Sequence, residues 1–154
     1  MSSESSRIAD QLRRAFAGDA WHGPPLSELL TGITAVQAWS RPLPAAHSIG
    51  ELALHITVWT RAAIEAAHGI RMPAIVGTER DWPNIKDDSG AEWTRITGDL
   101  FETGEQLARV IENFDDERLR EIVPGREYDF YYLLHGIVQH SLYHGGQIAL
   151  LRKA

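Results

Sequence analysis

The last stretch of the chain, DFYYLLHGIVQHSLYHGGQIALLR (residues 129–152), sets the pattern for the rest. Phe130, Leu133, Ile137, His140, His144, Gln147 and Leu151 recur at steps of 3, 4, 3, 4, 3 and 4. That is the period of a helix packed in a bundle. Two histidines and a glutamine therefore stand where a bundle normally places leucine. Burying imidazoles and an amide costs free energy unless each finds a partner. Val138, Leu142 and Ala149 lie off this stripe, so the outer side of the helix is apolar too. A helix apolar all round is usually covered all round.

The same period runs through the earlier chain. Ile8, Leu12, Ala15 and Phe16 predict a helix over residues 2–18, stopped at Gly18. Pro25 then starts a short helix over 25–32 carrying Leu26, Leu29 and Leu30. Thr34 and Gln37 have capping-box spacing for a further turn over 34–39. Residues 41–44, RPLP, form an extended linker. Ser48 and Glu51 repeat the box and open a long helix with Ile49, Leu52, Ile56, Trp59 and Ala63 on its core side. That helix should end near Gly69.

Residues 70–88, with Pro73, Gly77 and Pro83, make a connection longer than most loops. Crossovers of this length join parallel neighbours in bundles. Trp82 within it either anchors the loop or reaches a ligand. Ser89 and Glu92 give a third capping box, followed by Trp93, Ile96, Leu100, Leu107, Val110 and Phe114. Thr103 and Gly104 interrupt that stripe with small groups, leaving room for a site or allowing close packing. Residues 115–120 are a charged corner, residues 123–125 a turn, and Asp129 caps the final helix. No stretch alternates like a strand. The expectation is an all-α four-helix bundle with a long crossover connection and a short helical insert after helix 1. It forms a single domain over residues 1–154.

Composition narrows the chemistry. A net charge of −6 offers no broad basic surface for nucleic acid. No run approaches the ~18 apolar residues of a membrane span. The N-terminal MSSESSRIADQLRR has no apolar leader, so a cytoplasmic protein is expected. The absence of cysteine removes disulfides, thiolate metal sites and a cysteine nucleophile together. Any metal must be held by His, Asp or Glu, and any thiol must come from outside the chain.

His140 and His144 stand one helical turn apart on one face, a spacing that lets two imidazoles reach one divalent ion. Hydrogen-bonded core histidines show the same spacing. His55, mid-helix beside Leu52 and Trp59, is the best-placed third ligand. His135 lies about 140° around the helix from His140 and points away. His68 suits the C-terminal end of its helix, and His22 and His47 lie at the ends of connections. Gln147, one turn past His144, is placed to orient a ligand or to bond a backbone carbonyl. Glu51, one turn before His55, is placed to hold an imidazole N–H, although capping already explains it. Trp59 and Tyr143 neighbour these positions and line a pocket or pack the core.

The stretches GDAWHGPPLSELL, HSIGELALHITVW and LLHGIVQHSLYHGGQIALLRK, in this order and spacing, resemble the DinB-like family of bacterial four-helix-bundle proteins. The likeness spans nearly the whole chain, and its most specific part is HSLYHGGQIALLRK. It implies that His55, His140 and His144 bind a divalent metal, commonly zinc or nickel. Family members with known activity are thiol-dependent, such as bacillithiol transferases and mycothiol-dependent maleylpyruvate isomerase. The resemblance therefore implies a metal-dependent, thiol-using transferase acting on a small molecule. The alternatives are a metal-dependent hydrolase and a non-enzymatic metal-bound stress-response or binding module.

Three neutral imidazoles with an open position are the pattern of catalytic rather than structural zinc. With no thiol of its own, the chain would use a low-molecular-weight thiol as cosubstrate. A homodimer is also expected. Gly145 and Gly146 each cost about 1 kcal/mol relative to alanine in a helix interior, and close approach of another backbone is a reason to keep them. The alternative is that the WHGPPLSELL insert covers that face.

Overall fold

The structure is a computed structural model that describes residues 3–154. Ser2, where the sequence pattern begins the first helix, lies outside the described residues. Four long helices carry the bundle: α1 (Glu4–Ala17), α4 (Ile49–Ala67), α5 (Gly90–Glu112) and α6 (Phe130–Leu151). Two short helices, α2 (Leu26–Leu30) and α3 (Ala35–Trp39), form the insert, and a 3-10 helix, Asp116–Arg120, turns the corner before α6. Ile122 and Asp129 make an isolated antiparallel bridge, and no longer strand forms among the described residues.

The helix starts follow local chemistry. Ser3, Ser48, Ser89 and Asp129 each accept an N–H of the first turn. Thr34–Gln37 and Ser48–Glu51 close in both directions, as capping boxes do. The third expected box is only half made. Ser89 Oγ accepts the Glu92 N–H, but the Glu92 carboxylate turns outward to Arg95, and the Ser89 N–H goes to Asp87 instead. An arginine that engages both carboxylate oxygens competes better than one backbone N–H.

Helix α5 lies against α1 and α4, and α6 against α4 and α1, so α1–α4 and α5–α6 are the diagonals. Arg61 in mid-α4 pairs with Asp99 in α5. Trp39, against Gly50 at the start of α4, meets Trp93 at the start of α5 edge-on at 5.9 Å. Helices α4 and α5 therefore run parallel, and residues 68–89 are the crossover between them. Its length is needed to bring the chain back to the same end. Met72 and Ile75 bury their side chains beneath it, and the Met72 N–H bonds the Pro124 carbonyl at 2.8 Å.

Two glycines report close packing. A Cβ on Gly50 would stand 1.9 Å from the Trp39 ring, and one on Gly104 would stand 2.4 Å from Phe16. Gly104 thus serves the close packing of α5 on Phe16 of α1. The insert also decides part of the α6 outer face. A Cβ on Gly145 would touch Leu26 and Leu29 of α2, and Arg152 holds the carbonyls of Glu28 and Leu29. Val138, Leu142 and Ala149 are half-buried against the same core. The face that motivated a second copy is therefore covered in part from within the chain.

Candidate metal centre

Where α4 and α6 face each other, three imidazoles meet. His55 and His144 are buried and His140 is half-buried, with one ring nitrogen of each lying within 4.8 Å of the others. The Nε2 atoms converge. His140 Nε2 is 2.9 Å from His55 Nε2 and 3.1 Å from His144 Nε2. The helical step of four places His140 and His144 on one side, and the α4–α6 contact brings His55 across to them.

The outer nitrogens fix two tautomers. His55 Nδ1 lies 2.7 Å from the backbone oxygen of Asp81. A carbonyl only accepts, so Nδ1 carries the hydrogen and Nε2 presents its lone pair. His144 Nδ1 donates in the same way to the Gln147 side-chain oxygen at 2.6 Å. Such outer partners orient metal-binding imidazoles and raise their basicity. His140 differs, because its Nδ1 is buried without a hydrogen-bond partner.

All three groups are biased toward the neutral form. Burial pushes His140 down to about 3, aided by His144 and His55 as like-charged neighbours. Burial also lowers His55, opposed by the Asp81 carbonyl and carboxylate. His144 is lowered chiefly by burial, opposed by its bond to Gln147. Two lone pairs thus face the Nε2 of a third neutral ring, which has at most one N–H and can donate it to only one of them. A divalent cation among them would turn that crowding into attraction. Tetrahedral sites with Zn–N of 2.0–2.1 Å place ligand nitrogens about 3.3 Å apart, within a few tenths of an ångström of the two spacings seen here. The donor set and its geometry are compatible with a divalent metal.

The crossover supplies a roof. Asp81 is buried, its carboxylate accepting the Trp59 indole N–H at 3.1 Å and lying 3.2 Å from His55 Nδ1. Trp82 stacks on His55 at 3.9 Å between centroids, with its other face on His47 at 3.4 Å. Trp82 therefore anchors the loop, by stacking between the two histidines. Asp81 has no counterpart among the positions expected from the sequence. It lies 26 residues from His55, and no periodicity reaches from a loop to a helix; DW within ERDWPN is its only local signal.

The remaining expected positions sort themselves by contact. Glu51 does not hold His55. Its carboxylate takes the Ser48 N–H and an Arg41 guanidinium, and the Asp81 carbonyl occupies the imidazole N–H. One carboxylate at the helix start cannot face both the cap and the core. Gln147 bonds the His144 imidazole and not a backbone carbonyl, the position behind a candidate metal ligand. Trp59 approaches His140 at 6.0 Å, and Tyr143, largely exposed, meets His144 edge-on at 5.0 Å. His135 packs on Tyr131 near Glu4, and His68 caps α4 through the Ile64 carbonyl. His22 lies in the groove between α2 and α6, away from the three imidazoles.

A cavity of about 370 Å³ opens beside the histidines, walled by α4, α6 and the crossover. It has the size of a small-molecule site. No helix is long and apolar enough to cross a membrane among the described residues. A search of curated proteins gave no match. Residues 20–148 match the model of the DinB superfamily. That match takes in His55, His140, His144 and the crossover that roofs them, and on it the chain belongs to the DinB superfamily.

Proposed function

We propose that this is a cytoplasmic, metal-dependent enzyme that acts on a small molecule in the cavity beside His55, His140 and His144. The observation that carries the proposal is the convergence of three Nε2 atoms while two of the Nδ1 atoms are held from behind. His55 and His144 each meet a backbone or amide oxygen at Nδ1 and meet His140 at Nε2, so the three Nε2 atoms face one another around a common point.

A divalent cation such as zinc or nickel, held by the three imidazoles, would supply the positive charge that lets a thiol or water lose its proton near neutral pH. The chain's own residues do the rest. Asp81 and Gln147 hold two rings in the tautomer that leaves Nε2 free. Trp82 and Trp59 exclude water from the α4 side. The cavity wall formed by α6 positions the substrate next to His140 and His144. Transfer to an external low-molecular-weight thiol is the first reaction proposed, because the chain has no cysteine. Hydrolysis is the second, favoured by a cavity lining without lysine or arginine to hold the carboxylates of a charged thiol.

The test begins with metal analysis of the purified protein, which should give one divalent ion per chain, lost in His55→Ala, His140→Ala and His144→Ala. Chelator should lower the melting temperature at neutral pH in the parent only. At a hundredfold excess over Kd the bound ion contributes about 2.7 kcal/mol. Electrophilic substrates and esters are then offered with and without thiol. Metal-free protein, or equal turnover in His144→Ala, would overturn the proposal.

A further inference from the structure

The cavity is chemically two-ended. Its inner end holds the three histidines and Asp81. Asp81 is buried at that inner end, its carboxylate accepting the Trp59 indole N–H, so its charge lies away from the outer half. The rest of the wall is apolar or aromatic: Trp59, Leu133 and Ile137 inside, with Val76, Tyr128 and Tyr132 toward the mouth. Neither lysine nor arginine lines it. The Tyr128 hydroxyl already meets the Met72 sulfur, and Tyr132 is exposed at the rim.

A carboxylate, phosphate or ammonium in the outer half would lose its hydration with no partner in return. A flat apolar ring gains contact with tyrosine and tryptophan faces there. The volume, about 370 Å³, equals that of roughly a dozen waters at ≈ 30 Å³ each. That is room for one substituted ring and a short polar arm. Gly136 sits in the wall, and a Cβ there would meet nothing within 4 Å. The missing side chain therefore widens the cavity and relieves no backbone contact.

We infer that the substrate is a neutral, ring-bearing small molecule whose polar arm points at the histidines and whose uncharged ring lies between Trp59, Tyr128 and Tyr132. The inference rests on the proposed small-molecule site and adds what that site selects. Gly136 is a specificity-determining residue, keeping open the space that the ring fills.

The test is equilibrium binding of simple amides, read by tryptophan fluorescence and calorimetry, with the metal content of each sample measured. Both metal-replete and chelated protein are used. Benzamide should bind at least about tenfold more tightly than acetamide, since the ring buries apolar area that a methyl cannot. 4-Methylbenzamide should keep that affinity and 4-carboxybenzamide should lose it, because the added charge lies at the tail. Gly136→Leu fills the space with a better helix former. It should lose benzamide binding while its circular dichroism stays at parent level and its melting temperature does not fall. The inference is overturned if acetamide binds as well as benzamide, if the tail carboxylate is tolerated, or if Gly136→Leu binds like the parent. It is overturned equally if no amide binds at millimolar concentration. Absent ring preference in a metal-containing sample refutes this inference alone. Ring preference in a protein that takes up no metal refutes the metal proposal and leaves the selectivity standing.

Discussion

Acid should destabilise the metal-free protein through His140. The folded imidazole is pushed down from 6.5 to about 3, first by burial and then by its two histidine neighbours. In the unfolded chain the same group titrates near 6.5. Between these values the unfolded state binds the extra proton, so stability falls as pH falls. The loss begins below about 6.5 and is complete only near the folded value. At pH 5 the unfolded group is about 1.5 units below its pKa, which costs about 2 kcal/mol at 1.36 kcal/mol per unit. This figure needs only a folded value well below 5. For a chain of 154 residues it should lower the melting temperature by roughly 4–8 °C. Glu51 and Glu105 are held below the ordinary carboxylate range, so their contribution stays in place at pH 5 and is lost only lower. The assay is thermal melting of chelated protein at pH 7.5 and pH 5, compared with His140→Leu. The variant keeps the other histidines, so the double difference isolates this site. A drop of the same size in His140→Leu would refute the argument.

The remaining predictions concern the residues behind the imidazoles, the packing and the assembly. Gln147→Leu leaves the buried His144 N–H without its acceptor, and metal affinity should fall roughly 10–100-fold, measured by competition with a chromogenic chelator; unchanged affinity would show that Gln147 orients nothing. Asp81→Ala removes the acceptor of the Trp59 indole and should loosen the roof, read as faster quenching of tryptophan fluorescence with helix content unchanged. Gly50→Ala drives a methyl to 1.9 Å from the Trp39 ring, an overpacking cost of about 1–3 kcal/mol that outweighs the ~1 kcal/mol helix gain; a higher melting temperature would contradict this. A homodimer, now proposed through exposed Tyr143 and Leu150 on α6, should appear in light scattering at micromolar concentration and be lost in Leu150→Glu; a monomeric parent removes it.

How far the sequence can be read depends on which distances its periodicities control. A helix fixes what stands three and four residues away, so the pair His140 and His144 is legible from spacing alone. So are the core stripes and two complete capping boxes. His55 is a candidate by its register beside Leu52 and Trp59, and it is the family resemblance that selects it among the histidines. Periodicity says nothing of what a loop brings in from 26 residues away. That is why spacing points to Glu51, the nearest carboxylate along the helix, when the partner of His55 is Asp81. The same limit explains Glu92, whose spacing from Ser89 is right while its arginine competitor stands on the next turn.

Two of the three histidines have their outer nitrogens satisfied by the fold alone, one from a loop carbonyl and one from its own helix. His140 has no such partner, although it stands between the other two. Two rings are thus held from behind by the fold, and on the proposed metal-dependent reading the central one would take its orientation from the ion. All three rings line the cavity, and His140 is the one that reaches it without a partner at its outer nitrogen. A ligand set held equally from behind at all three positions would bind an ion as firmly or more so. It would respond less to a molecule arriving beside it.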